Sequence, residues 1–218
     1  DGVGERRKYY RDAPAKLARA VDVFNAQAVD CVVNLGDAID GNVDEASTLR
    51  DLERVATHFD RVAAPACHVL GNHCLSLPRS VFQERLGMPG SYYSHRLGDA
   101  WILLVLDTND LAIHGWPEGD PRRAAAEAWL VGRSGPEFLP WNGGIGDDQL
   151  AWLRHELDAA RTRQDNVIVA SHHPFSDRAA DIKHCAWNWL DVAALLVAAT
   201  HVKLVLAGHF HPGGHVKL

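Results

Sequence analysis

Four short apolar runs, each stopping at a polar motif, constrain this chain more than any other feature. Asp30 to Leu35 leads into Gly36-Asp37, and Ala66 to Leu70 into Gly71-Asn72-His73. Asn166 to Ala170 leads into Ser171-His172-His173-Pro174, and Val202 to Leu206 into Gly208-His209-Phe210-His211. Short apolar runs bounded by turn residues are buried strands. Between them lie segments with helical spacing. Ala13 to Ala28 sets Leu17, Ala20, Val21 and Phe24 on one face, and Asp44 to Val62, Asp147 to Arg163 and Asn188 to Ala198 follow the same rule. Tyr92 to His95 and Trp101 to Leu106 add two more strands. Alternating helices and uninterrupted apolar strands predict an α/β layered fold whose sheet is covered on both faces. The functional groups are then expected in loops beyond the carboxyl ends of the strands. Gly115 to Gly146, rich in Gly, Pro and Trp with little periodicity, is expected to run over the surface as a long excursion on the substrate side.

A chain of 218 residues, 47% hydrophobic and 23% charged, suits one soluble globular domain, so residues 1–218 are expected to form a single unit. A net charge of -6 argues against a basic surface for nucleic acid. Phosphate must then be drawn by local positive charge, which bound metal ions supply. Cys31, Cys67, Cys74 and Cys185 form no Cys-x-x-Cys pair, so free thiols in a reducing compartment are expected. No apolar run approaches the ~18 residues needed to span a bilayer. The start, Asp1 to Arg11, is charged rather than signal-like, which sets a cytoplasmic expectation with no membrane partner.

Thirteen histidines, several at strand ends beside Gly, Asn or Asp, call for a chemical reason. Hydrolysis of a phosphate ester needs an activated water, neutralised phosphoryl oxygens and a stabilised leaving oxygen, and a two-metal centre meets all three needs. Asp37 at a strand end is placed to bridge two ions, with Asp40 orienting its loop. Asn72 offers an amide oxygen, while His172, His209 and His211 offer imidazole nitrogens. This mixture suits manganese, iron or zinc better than calcium. His73 adjoins a ligand and is assigned the general-acid role toward the departing oxygen. Each motif alone also fits a turn or a solvated histidine. Alternation puts His209 and His211 on one face, as chelation requires. Four such motifs, all at strand ends, carry the metal reading together.

These motifs resemble the successive signatures of the calcineurin-like metallophosphoesterase superfamily, and they span most of the chain. A narrower resemblance is to the manganese-dependent ADP-ribose/CDP-alcohol diphosphatase family. It rests on Arg7-Lys8-Tyr9-Tyr10-Arg11, Gly36-Asp37-Ala38-Ile39-Asp40-Gly41, Asn142-Gly143-Gly144-Ile145, Gln149-Leu150-Ala151-Trp152-Leu153 and Ala186-Trp187-Asn188. The resemblance implies a sandwich of central sheets flanked by helices, and hydrolysis of a nucleoside diphosphate linked to a sugar or alcohol. The attack would come from metal-activated hydroxide, His73 would assist the leaving group, and a nucleoside monophosphate would be released. Another phosphodiesterase or phosphomonoesterase of the superfamily, or a nucleotide-binding protein without turnover, is the alternative.

By the same resemblance Asp37 bridges two divalent ions, manganese first among them. Asn72, His172 and His209 complete one site and His211 belongs to the other. Asn142, Gly143, Gly144, Cys185 and Trp187 are implied to lie near the nucleotide, although Cys185 and Trp187 equally suit a core. The family's opening strand, with its Asp-x-His or Asp-x-Gln ligands, and its C-terminal strands have no counterpart in these residues. Truncation at both ends is therefore expected, with one metal bound more tightly than the other. Cys74 stands where an acidic residue commonly follows Gly-Asn-His, and Pro212 where Asp is frequent.

Overall fold

The structure, a computed structural model, describes residues 10–217. Arg7 to Tyr9, part of one of the similar stretches, lie outside the described residues. After a short 3-10 turn, α1 (Ala13–Gln27) starts with a proline in its first turn and ends at Ala28 in the left-handed region. α2 (Glu45–Phe59) is capped by Asp44, whose carboxylate accepts the Ser47 N–H at 2.7 Å. Between them β1 (Val32–Asn34) pairs in parallel with β2 (Ala66–His68), Val33 opposite Cys67.

The remaining strands build a second sheet in the order β3 (Tyr93–Leu97), β4 (Trp101–Val105), β5 (Asn166–Ser171), β6 (Val202–Ala207). β3 and β4 are antiparallel, whereas β4, β5 and β6 run parallel, Leu104 facing Val169 and Val169 facing Val205. α5 (Asp147–Arg163) and α6 (Trp189–Ala198) are the helices of this half. Asp147 and Asp148 in the first turn of α5, and Arg161 and Arg163 in its last, complement the helix dipole.

Burial explains why the β4 run is apolar without interruption. Ile102 and Leu104 join Val167, Val169, Leu153, Leu157, Val192 and Leu196 in one core, under α5 and α6. The alternate residues Leu103 and Val105 pack with Ala170 against Cys67 and Val69 of the other sheet. Two sheets therefore lie face to face with helices outside. This is the sandwich of central sheets flanked by helices that the resemblance implied, and in it one face of the second sheet is covered by the first sheet and not by helices. β6 departs further. It ends the sheet order, and Leu204 and Val205 on its opposite faces are 46% and 39% exposed.

Two helices went unforeseen. α3 (Arg79–Arg85) follows Pro78 and buries Phe82 among Leu52, Leu70 and Leu77. α4 (Pro121–Leu130) lies inside the segment expected to lack periodicity. Asp120 caps it by accepting the Arg122 N–H, and Pro121 opens it, a start signal hidden by the surrounding glycines and tryptophans. Arg79 reaches under the same segment. Its guanidinium donates to the Asn109 and Gly115 carbonyls and pairs with buried Asp107, while its plane and that of Arg122 cover the Trp116 ring at 3.8 and 3.5 Å.

His68 at the end of β2 is 3% exposed, with its ring edge-on to Phe59 of α2. Burial pushes its pKa down to about 4. The unfolded chain therefore takes up a proton that the folded chain refuses between pH 6.5 and 4, and stability falls as pH falls through that window. Urea unfolding of the native chain and of His68→Gln at pH 7 and pH 4.5 should show the native chain losing roughly 2 kcal/mol more than the variant. Equal losses would remove His68 as the cause.

Candidate metal centre

The site begins where β1 and β2 end. Gly36 has φ 97° and Asp37 φ 50°, so the chain turns in the left-handed region at a residue that is not glycine. Such a conformation costs of order 1–3 kcal/mol and is retained where surrounding contacts enforce it. Those contacts come from the next loop. A methyl group on Gly71 would lie 2.1 Å from Asp37 Oδ1, so only a glycine admits the carboxylate there. Asp37 Oδ1 in turn accepts the His73 N–H at 2.9 Å.

β5 brings His172 to the same point. Its Nδ1 donates to the Leu35 carbonyl at 2.8 Å, which leaves Nε2 with a lone pair in the neutral ring. That Nε2 lies 3.1 Å from Asn72 Oδ1, 3.1 Å from His209 Nδ1 and 3.2 Å from Asp37 Oδ2. Ligand atoms of Asp37, His172 and His209 all fall within 4.8 Å of one another. Lone pairs gathered this closely repel unless a positive charge lies among them, which is the property of a cation cage. The residues present fit a metal ion on that ground.

Charge states agree. Burial would raise the Asp37 carboxyl, but the hydrogen bond and charge of His172, joined by His73, hold it below the usual carboxylate value. Burial, and then the adjacent His172, push His209 down to about 3, so near neutral pH it offers a neutral imidazole. A carboxylate at Asp37 and an uncharged imidazole at His209 are the protonation states that ligation requires of those two residues.

His73 sits at the rim, its side chain 37% exposed. Its Nδ1 donates to the Asp40 carbonyl at 3.1 Å and lies 3.2 Å from an Asp40 carboxylate oxygen. Asp40 thus fixes the histidine. An open cleft of about 400 Å³ extends from here, lined by Asp37, Asn72, His73, Trp141, His184 and His211 among others. His211 belongs to the cleft wall but not to the close group around His172.

The residues expected near a nucleotide lie behind this wall. Asn142 is buried and donates to the Glu137 and Lys183 carbonyls at 2.8 and 2.7 Å. The Gly143 carbonyl accepts the Trp187 N–H, and Gly144 pairs with Leu111. Cys185 is buried, its thiol pushed up to about 12 by burial. Trp187 is 3% exposed and stacked on Trp129, ring centres 6.0 Å apart. The direct neighbours of these residues, Trp141 and His184, face the cleft instead. Cys74 is packed with Ile39, Leu70 and Phe82, and Pro212 lines the cleft.

The run Asp107 to Asp110, a fifth polar strand end, also escaped notice. Asn109 Nδ2 donates to the Leu70 carbonyl at 2.9 Å, just ahead of Gly71. Thr108 Oγ1 accepts the His173 N–H and lies 2.7 Å from His173 Nδ1. Their signal was available, since Leu106 closes an apolar run as Leu70 does.

Oxygen and nitrogen donors mixed in this way favour a transition-series divalent ion, and the cleft admits substrate to it. The fold and the cage together define a metal-dependent hydrolase of phosphate esters. Comparison with known proteins supplies the family. The calcineurin-like phosphoesterase model matches residues 11–213, and the chain belongs to that family. It is similar to the manganese-dependent ADP-ribose/CDP-alcohol diphosphatase of Oryza sativa subsp. japonica, 34% identical with 95% of this chain and 71% of the relative aligned. Its identity to the Homo sapiens protein of that name is 29%, over 97% of this chain and 72% of the relative. Among solved structures, a dimetal phosphatase from Danio rerio superposes with a TM-score of 0.91 at 28% identity, covering 100% of this chain and 78% of its own.

The Gly71 contact is open to test. Gly71→Ala should weaken divalent metal binding by about 10- to 100-fold, the range for groups that orient a ligand. Calorimetric titration with manganese checks this, and unchanged affinity would mean that Asp37 is held some other way.

Proposed function

We propose that this chain hydrolyses the diphosphate of ADP-ribose-like or CDP-alcohol-like nucleotides, releasing a nucleoside monophosphate, with manganese as its metal. The observation that carries the proposal is the convergence of Asp37, Asn72, His172 and His209 beside His73 in one open cleft. The relatives named above support the choice of substrate. Asp37, Asn72, His172 and His209 would hold one ion, and Asp37 with His211 would serve the other. When bound, such a pair neutralises phosphoryl oxygens and activates water.

The chain's own groups do the rest. Asp37 enters the reaction already ionised, held down by His172 and His73. Asp40 anchors His73 through Nδ1, which leaves Nε2 as the ring atom to give a proton to the departing phosphate oxygen. Trp141, 48% exposed in the cleft, supplies a flat surface for a nucleobase. Asn142, Gly143 and Gly144 would act by positioning Trp141, and Cys185 and Trp187 by positioning His184. No helix among the described residues is long and apolar enough to cross a membrane, and four free thiols suit the cytoplasm in which this reading places the protein.

Manganese-dependent release of AMP from ADP-ribose and of CMP from CDP-choline tests the proposal. His73→Ala should lower kcat by about 10²- to 10⁴-fold with metal binding retained. Trp141→Ala should raise KM by roughly tenfold with a much smaller effect on kcat, as loss of a base-stacking surface does. Turnover of cyclic nucleotides or phosphomonoesters without these two substrates would move the activity elsewhere in the family.

A further inference from the structure

A second group of ligating side chains lies in the seam between the two sheets. Cys31 immediately precedes β1, Cys67 is the middle residue of β2, and His95 is the middle residue of β3. Alternation along β3 turns Tyr93, His95 and Leu97 inward while Ser94 and Arg96 are exposed, which directs the imidazole at the two cysteines. The sulfurs are 3.8 Å apart, and the ligand atoms of all three residues lie within 4.8 Å of one another. About 20 Å of extended chain separates Cys31 from Asp37 at the other end of β1, so this group is distinct from the cleft.

We infer that Cys31, Cys67 and His95 form a second metal site, selective for a soft tetrahedral ion such as zinc(II), with solvent as its fourth ligand. The sulfur spacing carries the inference. A tetrahedral ion about 2.3 Å from each of two sulfurs sets them about 3.8 Å apart, so Cys31 and Cys67 already stand at the required separation. Two thiolates with one imidazole prefer zinc to manganese, whereas the oxygen-containing cage of the cleft does not share that preference. Cys67 is buried, but Cys31 and His95 are half-exposed and leave a path for the ion and room for water. The Tyr93 hydroxyl lies beside Cys67 and offers a neighbouring hydrogen-bonding group. Binding releases both thiol protons to solvent and ties both strands of the first sheet to β3 of the second.

Cobalt(II) distinguishes the two centres, because only a cysteine-ligated site gives a near-ultraviolet sulfur-to-cobalt charge-transfer band. Titration of the reduced full chain should produce that band at one equivalent, and zinc should abolish it. Cys31→Ser should lose the band and His95→Ala weaken it, both with hydrolysis retained, while Asp37→Asn should keep it. Cobalt uptake with no sulfur band would overturn the inference, as would a band that survives Cys31→Ser. Circular dichroism on Cys31→Ser separates loss of the site from loss of the fold.

Discussion

The meeting of Asp37 with Gly71 is the contact on which the rest of this structure depends. Two loops from adjacent parallel strands approach until a carboxylate oxygen occupies the space a methyl group would fill, and the His73 N–H closes the contact. That approach sets the direction of the Asp37 side chain, keeps the strained backbone at Asp37, and places Asn72 and His73 on the same side. Without it the β5 and β6 ends would deliver His172 and His209 to a point with no acid to meet them. The Leu35 carbonyl adds a second constraint by choosing which nitrogen of His172 is left to face the acid.

Each sheet brings half of the cage. Asp37 and Asn72 leave the carboxyl ends of β1 and β2, while His172 and His209 leave those of β5 and β6. Their distances are therefore fixed by how Cys67 and Val69 pack on Leu103, Val105 and Ala170. A core of close-packed side chains holds such distances more firmly than a loop can, because moving one ligand requires moving a sheet. The packing between the sheets is in that sense part of the metal site.

Much of this was legible. The apolar runs located the strands, and their polar ends located Asp37, Asn72, His172 and His209, since burial on both faces leaves only the strand ends for polar chemistry. Helix α5 was visible to the residue, because Gln149, Leu153, Leu157 and Ala160 recur on one buried face. The division into two sheets was legible only through the family resemblance, not in the apolar pattern. A strand covered by another sheet and one covered by a helix have the same uninterrupted apolar pattern. Trp141 and His184 escaped because a residue facing a cleft and a neighbour facing the core carry the same aromatic character, and only tertiary packing separates Trp141 from Trp187. Helix α4 was hidden for a local reason, its ten residues being too few to show a clear period between glycine-rich flanks.

The β2 edge that faces away from β1 bears on how these molecules behave in company. Parallel pairing directs the Val69 N–H toward β1, so His68 and Leu70 turn their backbone groups the other way. One tyrosine oxygen meets both groups of His68, accepting its N–H at 2.8 Å and donating to its carbonyl at 3.0 Å. The Asn109 amide takes the Leu70 carbonyl. An unprotected edge invites a strand from another chain. Here an intruder would have to displace a phenol and an amide that already hold both backbone groups of His68 and the carbonyl of Leu70, so the two-stranded sheet is guarded on that side against strand addition.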